Sequence, residues 1–86
     1  MRHARDQDLD QLEDLLAQLR ELPGLIEKKR GVFYRNSKSF LHFHEDPQGL
    51  FADLSGGPNT ADERIDVTQR NGRESLLAAV RQRLAS

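Results

Sequence analysis

Cysteine is absent from this 86-residue chain, which removes disulfides, thiolate nucleophiles and cysteine-ligated zinc together. That suits a reducing compartment, and a cytoplasmic location is the expectation. Also missing is any apolar run near the roughly 20 residues of a membrane span. The opening "MRHARDQDLD" is charged throughout, so neither an export signal nor a membrane partner is expected. Charge of one sign is lacking too. The net value is −1, without the consistently basic face that a nucleic-acid groove wants. Apolar residues make up only 36% of the chain and charged ones 31%, but the apolar ones are well grouped, which argues for a globular domain rather than disorder. The length fits one domain over residues 1–86, with residues 1–6 expected to be mobile. A chain of this size leaves about a third or more of its unfolded surface exposed, so a shallow surface site is easier to build than an enclosed one.

The charge that is present alternates by segment. Residues 1–21 carry −3, residues 22–38 carry +4, residues 39–66 carry −5 and residues 67–86 carry +3. Such a pattern ties neighbouring elements to one another more readily than it attracts a polyanion.

Apolar spacing supplies the elements. Leu9, Leu12, Leu15, Leu16 and Leu19 form one helical stripe, predicting an amphipathic helix over 8–21, with Asp6 or Asp8 accepting orphan amides at its start. Pro23 ends it, and "PGLIEKKRG" reads as a short second helical turn closed by Gly31. From there the period becomes two. "VFYR", "SFLHFHE", "GLFADL" and "ERIDV" read as four strands, joined by Asn36-Ser37, by Asp46 to Gly49 and by "SGGPNTAD". A last helix follows, with Asn71 and Glu74 spaced as a capping box and Leu76, Leu77, Val80 and Leu84 on one side. The expected fold is therefore α+β in two layers. A four-stranded antiparallel meander is backed on one face by the amino-terminal and carboxy-terminal helices, in the order α-(α)-β-β-β-β-α.

Opposed residues in a hairpin share a face. A two-residue turn at Asn36-Ser37 sets Phe33 against Phe40, and a four-residue turn after Glu45 sets His42 against Asp53 and His44 against Phe51. One face then collects Val32, Tyr34, Leu41, Phe43, Leu50, Ala52, Leu54, Ile65 and Val67. The other collects Phe33, Arg35, Phe40, His42, His44, Phe51, Asp53, Arg64 and Asp66. An open face with three phenylalanines and two histidines is unusual, and Phe33, Arg35, Phe40, His42, His44, Phe51 and Asp53 are the candidate ligand- or partner-binding residues.

Four readings of that face stand side by side. It is covered as a minor second core, or it joins a second copy in a homodimer. It recognises a peptide, a small molecule or single-stranded nucleic acid, the last weakened by Asp53, by Asp66 and by the absence of an RNP-like string. Or His-x-His points two imidazoles toward Asp53 and holds a metal ion, with an open coordination position able to activate water for hydrolysis. The histidines start roughly 7 Å apart, two strand rises, and must lean inward; His3 is not expected to join them. No serine stands where His42 and Asp53 could activate it, and Ser55-Gly56-Gly57 is at most an anion-binding nest. A non-enzymatic binding or self-association domain without a cofactor or assigned catalytic residue is the leading expectation, with a metal-dependent hydrolase and a nucleic-acid module as rivals. The stretch "GVFYRNSKSFLHFHEDPQGLFADL" resembles the central part of a family of small uncharacterised bacterial α+β proteins. That resemblance implies their fold and brings no substrate or catalytic residue.

Overall fold

The computed structural model of the protein describes residues 2–56 and 61–85. Its elements run β1 (Arg2–His3), α1 (Asp6–Gln11), α2 (Glu13–Arg20), β2 (Ile26–Lys29), β3 (Val32–Arg35), β4 (Lys38–Asp46), β5 (Gly49–Leu54), β6 (Glu63–Asp66) and α3 (Arg70–Ala85). This is an α+β fold with an antiparallel sheet and a carboxy-terminal helix, but the sheet is larger than the expected four strands. Its order is β2-β3-β4-β5-β6, and β1 pairs with β4. No described helix is long and apolar enough to cross a membrane. The middle of the "SGGPNTAD" connection, and with it part of the Ser55-Gly56-Gly57 nest, lies outside the described residues.

The leucine stripe forms a helix in two pieces. Leu12 interrupts it with φ −102° and ψ 8°, yet Leu9, Leu12, Leu15, Leu16 and Leu19 are all buried as their spacing requires. Asp8 accepts the Arg5 amide at 3.0 Å and so satisfies one donor at the helix start. Of "PGLIEKKRG", expected as a short helical turn, Ile26–Lys29 instead form the edge strand β2. Glu27 fixes it there by accepting the Gly31 amide at 2.9 Å and by pairing with Arg20 of α2 at 2.6 Å. Gly31 has φ +78°, and a side chain there would press on Leu9. At the far end α3 begins at Arg70, earlier than the Asn71 cap expected. Gly72 lets it lie against the end of β6, since a Cβ at that position would collide with the Asp66 carbonyl oxygen.

The β4–β5 register is as the four-residue turn demands, with His42 opposite Asp53, Phe43 opposite Ala52 and His44 opposite Phe51. The β3–β4 hairpin departs from expectation. Asn36 and Ser37 form the two-residue turn, both at positive φ, and Tyr34 faces Ser39, but Phe33 then faces Leu41 rather than Phe40. Phe40 is the extra residue of a β-bulge. A one-residue slip exchanges the two sides of a strand, so Phe33 enters the core while Val32 and Tyr34 are left half-buried. The core is one cluster that joins the helix leucines, Phe33, Phe40, Leu41, Phe43, Leu50, Ala52, Leu54 and Val67 to Leu76, Leu77 and Val80 of α3.

Candidate metal centre

β4 is the strand that organises the site. It projects His42 and His44 to the side opposite Leu41 and Phe43, and β5 brings Asp53 across from His42. Asp53 Oδ2 lies 3.4 Å from His42 Nε2 and 2.7 Å from His44 Nε2, and the two imidazole rings close to 4.6 Å between centroids. The inward lean that a shared ion needs is therefore present. Among the described residues, His42, His44 and Asp53 each offer a ligand atom within 4.8 Å of the others.

His44 Nε2 has an unusual position. It is buried, yet it makes no hydrogen bond. Its 2.7 Å approach to Asp53 is short but lacks the direction a hydrogen bond requires. Burying a polar atom that makes no hydrogen bond is costly, and here only the neighbouring Asp53 carboxylate offsets that cost.

Asp53 is also held by an arginine. Arg64 of β6 donates to it from Nε at 2.8 Å and from Nη2 at 3.2 Å. That guanidinium, chiefly, holds the Asp53 carboxyl below the usual carboxylate range, with the two histidines adding to it and burial opposing it. Burial drives the His42 imidazole below its ordinary value, helped by His44 and only partly offset by Asp53. The pair is thus a neutral imidazole beside an ionised carboxylate, the protonation states in which both act as metal ligands. Beside them opens a surface hollow of about 330 Å³ lined by His42, Asp53, Asp62, Glu63 and Arg64.

The other candidates lie elsewhere. Phe33 is fully buried and Phe40 is 7% exposed, so both belong to the core and not to an open face. Arg35 is committed structurally. It donates to the Arg83 carbonyl at 3.1 Å and stands 5.9 Å from the centre of the Phe40 ring. Phe51 remains half-buried on the histidine side, opposite His44 on β4 and Asp66 on β6.

His3 joins the site unexpectedly. Residues 2–4, expected as part of a mobile terminus, run along β4, with Arg2 opposite Glu45, His3 opposite His44 and the Ala4 amide bonded to the Phe43 carbonyl at 3.0 Å. β5 occupies one edge of β4 over Leu41 to Asp46, and β3 ends at Leu41 on the other, so β1 takes the stretch that β3 leaves free. Arg2 pairs with Glu45. The His3 ring then lies 6.4 Å from that of His42 and 6.3 Å from that of His44. Comparison with family models, with curated proteins and with solved structures finds no match, so the chemistry of the site rests on its geometry.

Proposed function

We propose that this protein is a small metal-binding domain that holds one divalent transition-metal ion on His42, His44 and Asp53. The observation that carries this reading is the buried, unbonded Nε2 of His44, within 4.8 Å of two further ligand atoms. Two imidazoles and a carboxylate favour zinc, or nickel and copper, over magnesium and calcium, which prefer all-oxygen shells. Ligand atoms bound about 2.0–2.1 Å from a tetrahedral zinc stand about 3.3 Å apart. His42 and Asp53, at 3.4 Å, already meet that spacing; His44 and Asp53, at 2.7 Å, need to part by about half an ångström. Arg64 would serve as the outer support that orients the carboxylate.

Association through the sheet face keeps less support. Of its three phenylalanines only Phe51 is not in the core, and the one large apolar side chain exposed among the described residues, Ile26 at 62%, sits on the edge strand β2.

The test is an NMR titration with zinc on labelled protein, with diffusion recorded on the same sample. One ion per chain, with shifts centred on His42, His44 and Asp53 and diffusion unchanged, is the expected result. His42→Ala and His44→Ala should each weaken binding by more than the roughly 10–100-fold that loss of an outer supporting residue costs. Silence of both histidines at stoichiometric zinc would refute the reading, and diffusion that slows with protein concentration would favour the homodimer.

A further inference from the structure

We infer that His3 is a fourth ligand, so that the ion closes its own coordination shell by pinning the amino-terminal strand β1 against β4. This rests on the metal reading above and adds a consequence for the fold: occupancy of the site and docking of β1 become one event.

Three observations converge on His3. Its pairing opposite His44 puts its side chain on the same side of the sheet as the two other imidazoles, because directly opposed residues share a face. Its ring is nearly equidistant from both, at 6.4 Å and 6.3 Å, which sets it over the gap between them rather than against one neighbour. The backbone that carries it is bonded to β4 only lightly, through two paired residues and the Ala4 amide.

Distances decide how much must move. Imidazoles that share a tetrahedral ion through bonds of about 2.0 Å have ring centres roughly 5 Å apart. His42 and His44, at 4.6 Å, are already near that value. His3, which lies outside the group of ligand atoms within 4.8 Å of one another, has to bring its ring about 1 Å nearer to both imidazoles, by a side-chain rotation that leaves β1 in place.

The fourth ligand also decides the chemistry. A zinc with three protein ligands keeps a position for water and substrate, whereas four protein ligands make a closed, structural site. With His3 docked, the hollow lined by Asp62, Glu63 and Arg64 adjoins an ion that has no position to offer, and the centre acts as a clasp. With β1 released, the same centre presents an open position. A two-residue strand is among the first parts of a fold to open, so the ion adds a holding contact to the Ala4 amide bond and the Arg2–Glu45 pair.

Thermodynamic reciprocity makes this quantitative. The factor by which docked His3 tightens the ion must equal the factor by which the ion stabilises docked β1. Two readouts on the protein test it together: zinc affinity by calorimetry, and hydrogen exchange of the Ala4 amide with and without zinc. The variant His3→Phe keeps a ring on the strand and removes the ligand nitrogen. The expected result is zinc binding at least tenfold weaker in His3→Phe, with the zinc-induced slowing of Ala4 exchange present in the native chain by the same factor and lost in the variant. Equal affinity in the two proteins, or Ala4 exchange that zinc does not alter, would overturn the clasp while leaving the three-ligand centre intact. Absence of zinc binding to the native chain, with His42 and His44 unperturbed, would remove both.

Discussion

At the scale of single residues, the site is a compromise between packing and ligand chemistry. His42 is kept below its ordinary pKa of 6.5, first by burial and then by His44, and His3 is lowered for the same leading reason. A histidine lowered in the fold takes up its proton more readily when the chain unfolds, so between the lowered value and 6.5 the unfolded state binds more protons. Stability therefore rises with pH through that window and falls on acidification below about 6.5. Asp53, lowered mainly by Arg64, acts in a separate range, its contribution being lost only as pH falls below the carboxylate's ordinary 3.8. Denaturant midpoints of the metal-free protein should accordingly drop between pH 7.5 and pH 5.5, and His42→Gln should remove part of that drop. A midpoint flat across the interval in the native chain would contradict a half-buried, neutral His42. The pairing of His42 with Asp53 was legible in the sequence, since a turn of known length fixes the register of a hairpin. His3 was not, because two residues beside a charged terminus carry no periodic signal, and only the neighbouring Ala4, apolar and buried, marks the strand.

At the scale of elements, legibility followed the length of the pattern. β4 and β5 alternate over enough residues for one register to place Leu41, Phe43, Leu50, Ala52 and Leu54 inward, and the structure has that register. β3 has four residues and alternates ambiguously, because Val32, Phe33 and Tyr34 are all acceptable in a core. A bulge at Phe40 then decides which enters, and nothing in "SFLHF" announces it, since the bulged residue is itself apolar. β2 gives no clearer signal: "IEKK" has neither period over so few residues, and the strand goes with its pairing to β3 and the Glu27–Arg20 ion pair to α2. The bulge makes a prediction that the plain hairpin reverses. Phe33→Ala should destabilise by about 3–5 kcal/mol, the cost of emptying a large core site, whereas Tyr34→Ala, whose ring is half-buried beneath Lys28 at 4.7 Å, should cost clearly less. Urea unfolding of the two variants decides it; a larger loss from Tyr34→Ala would restore the unbulged register and return Phe33 to the open face.

At the scale of the whole molecule, the alternating charge segments find each other. Arg30, from the basic second segment, reaches Asp10 and Glu13 of the acidic first one at 2.9 Å, and Arg83, from the basic last segment, reaches Glu63 of the acidic third at 3.1 Å. These pairs are at most partly buried, and surface pairs contribute little each, about 0–1 kcal/mol, so they steer the packing of elements more than they hold it. Cohesion comes from the single core, in a chain whose radius of gyration of 11.9 Å matches the roughly 12 Å of a compact domain of this length. The net stability of such a domain is about 4–13 kcal/mol, small enough for one bound ion to matter. Free zinc at a hundred times its dissociation constant adds about 2.7 kcal/mol, and each kcal/mol raises the melting temperature of a domain this size by about 4–8 °C. Thermal unfolding should therefore move up by roughly 10–20 °C in zinc. Chelator should reverse the shift, magnesium should not produce it, and His44→Ala should abolish it. A clasp that includes His3 requires more: His3→Phe at the same zinc concentration must melt lower than the native chain by an amount that vanishes when both are stripped of metal, because the difference then belongs to the ion and not to the ring.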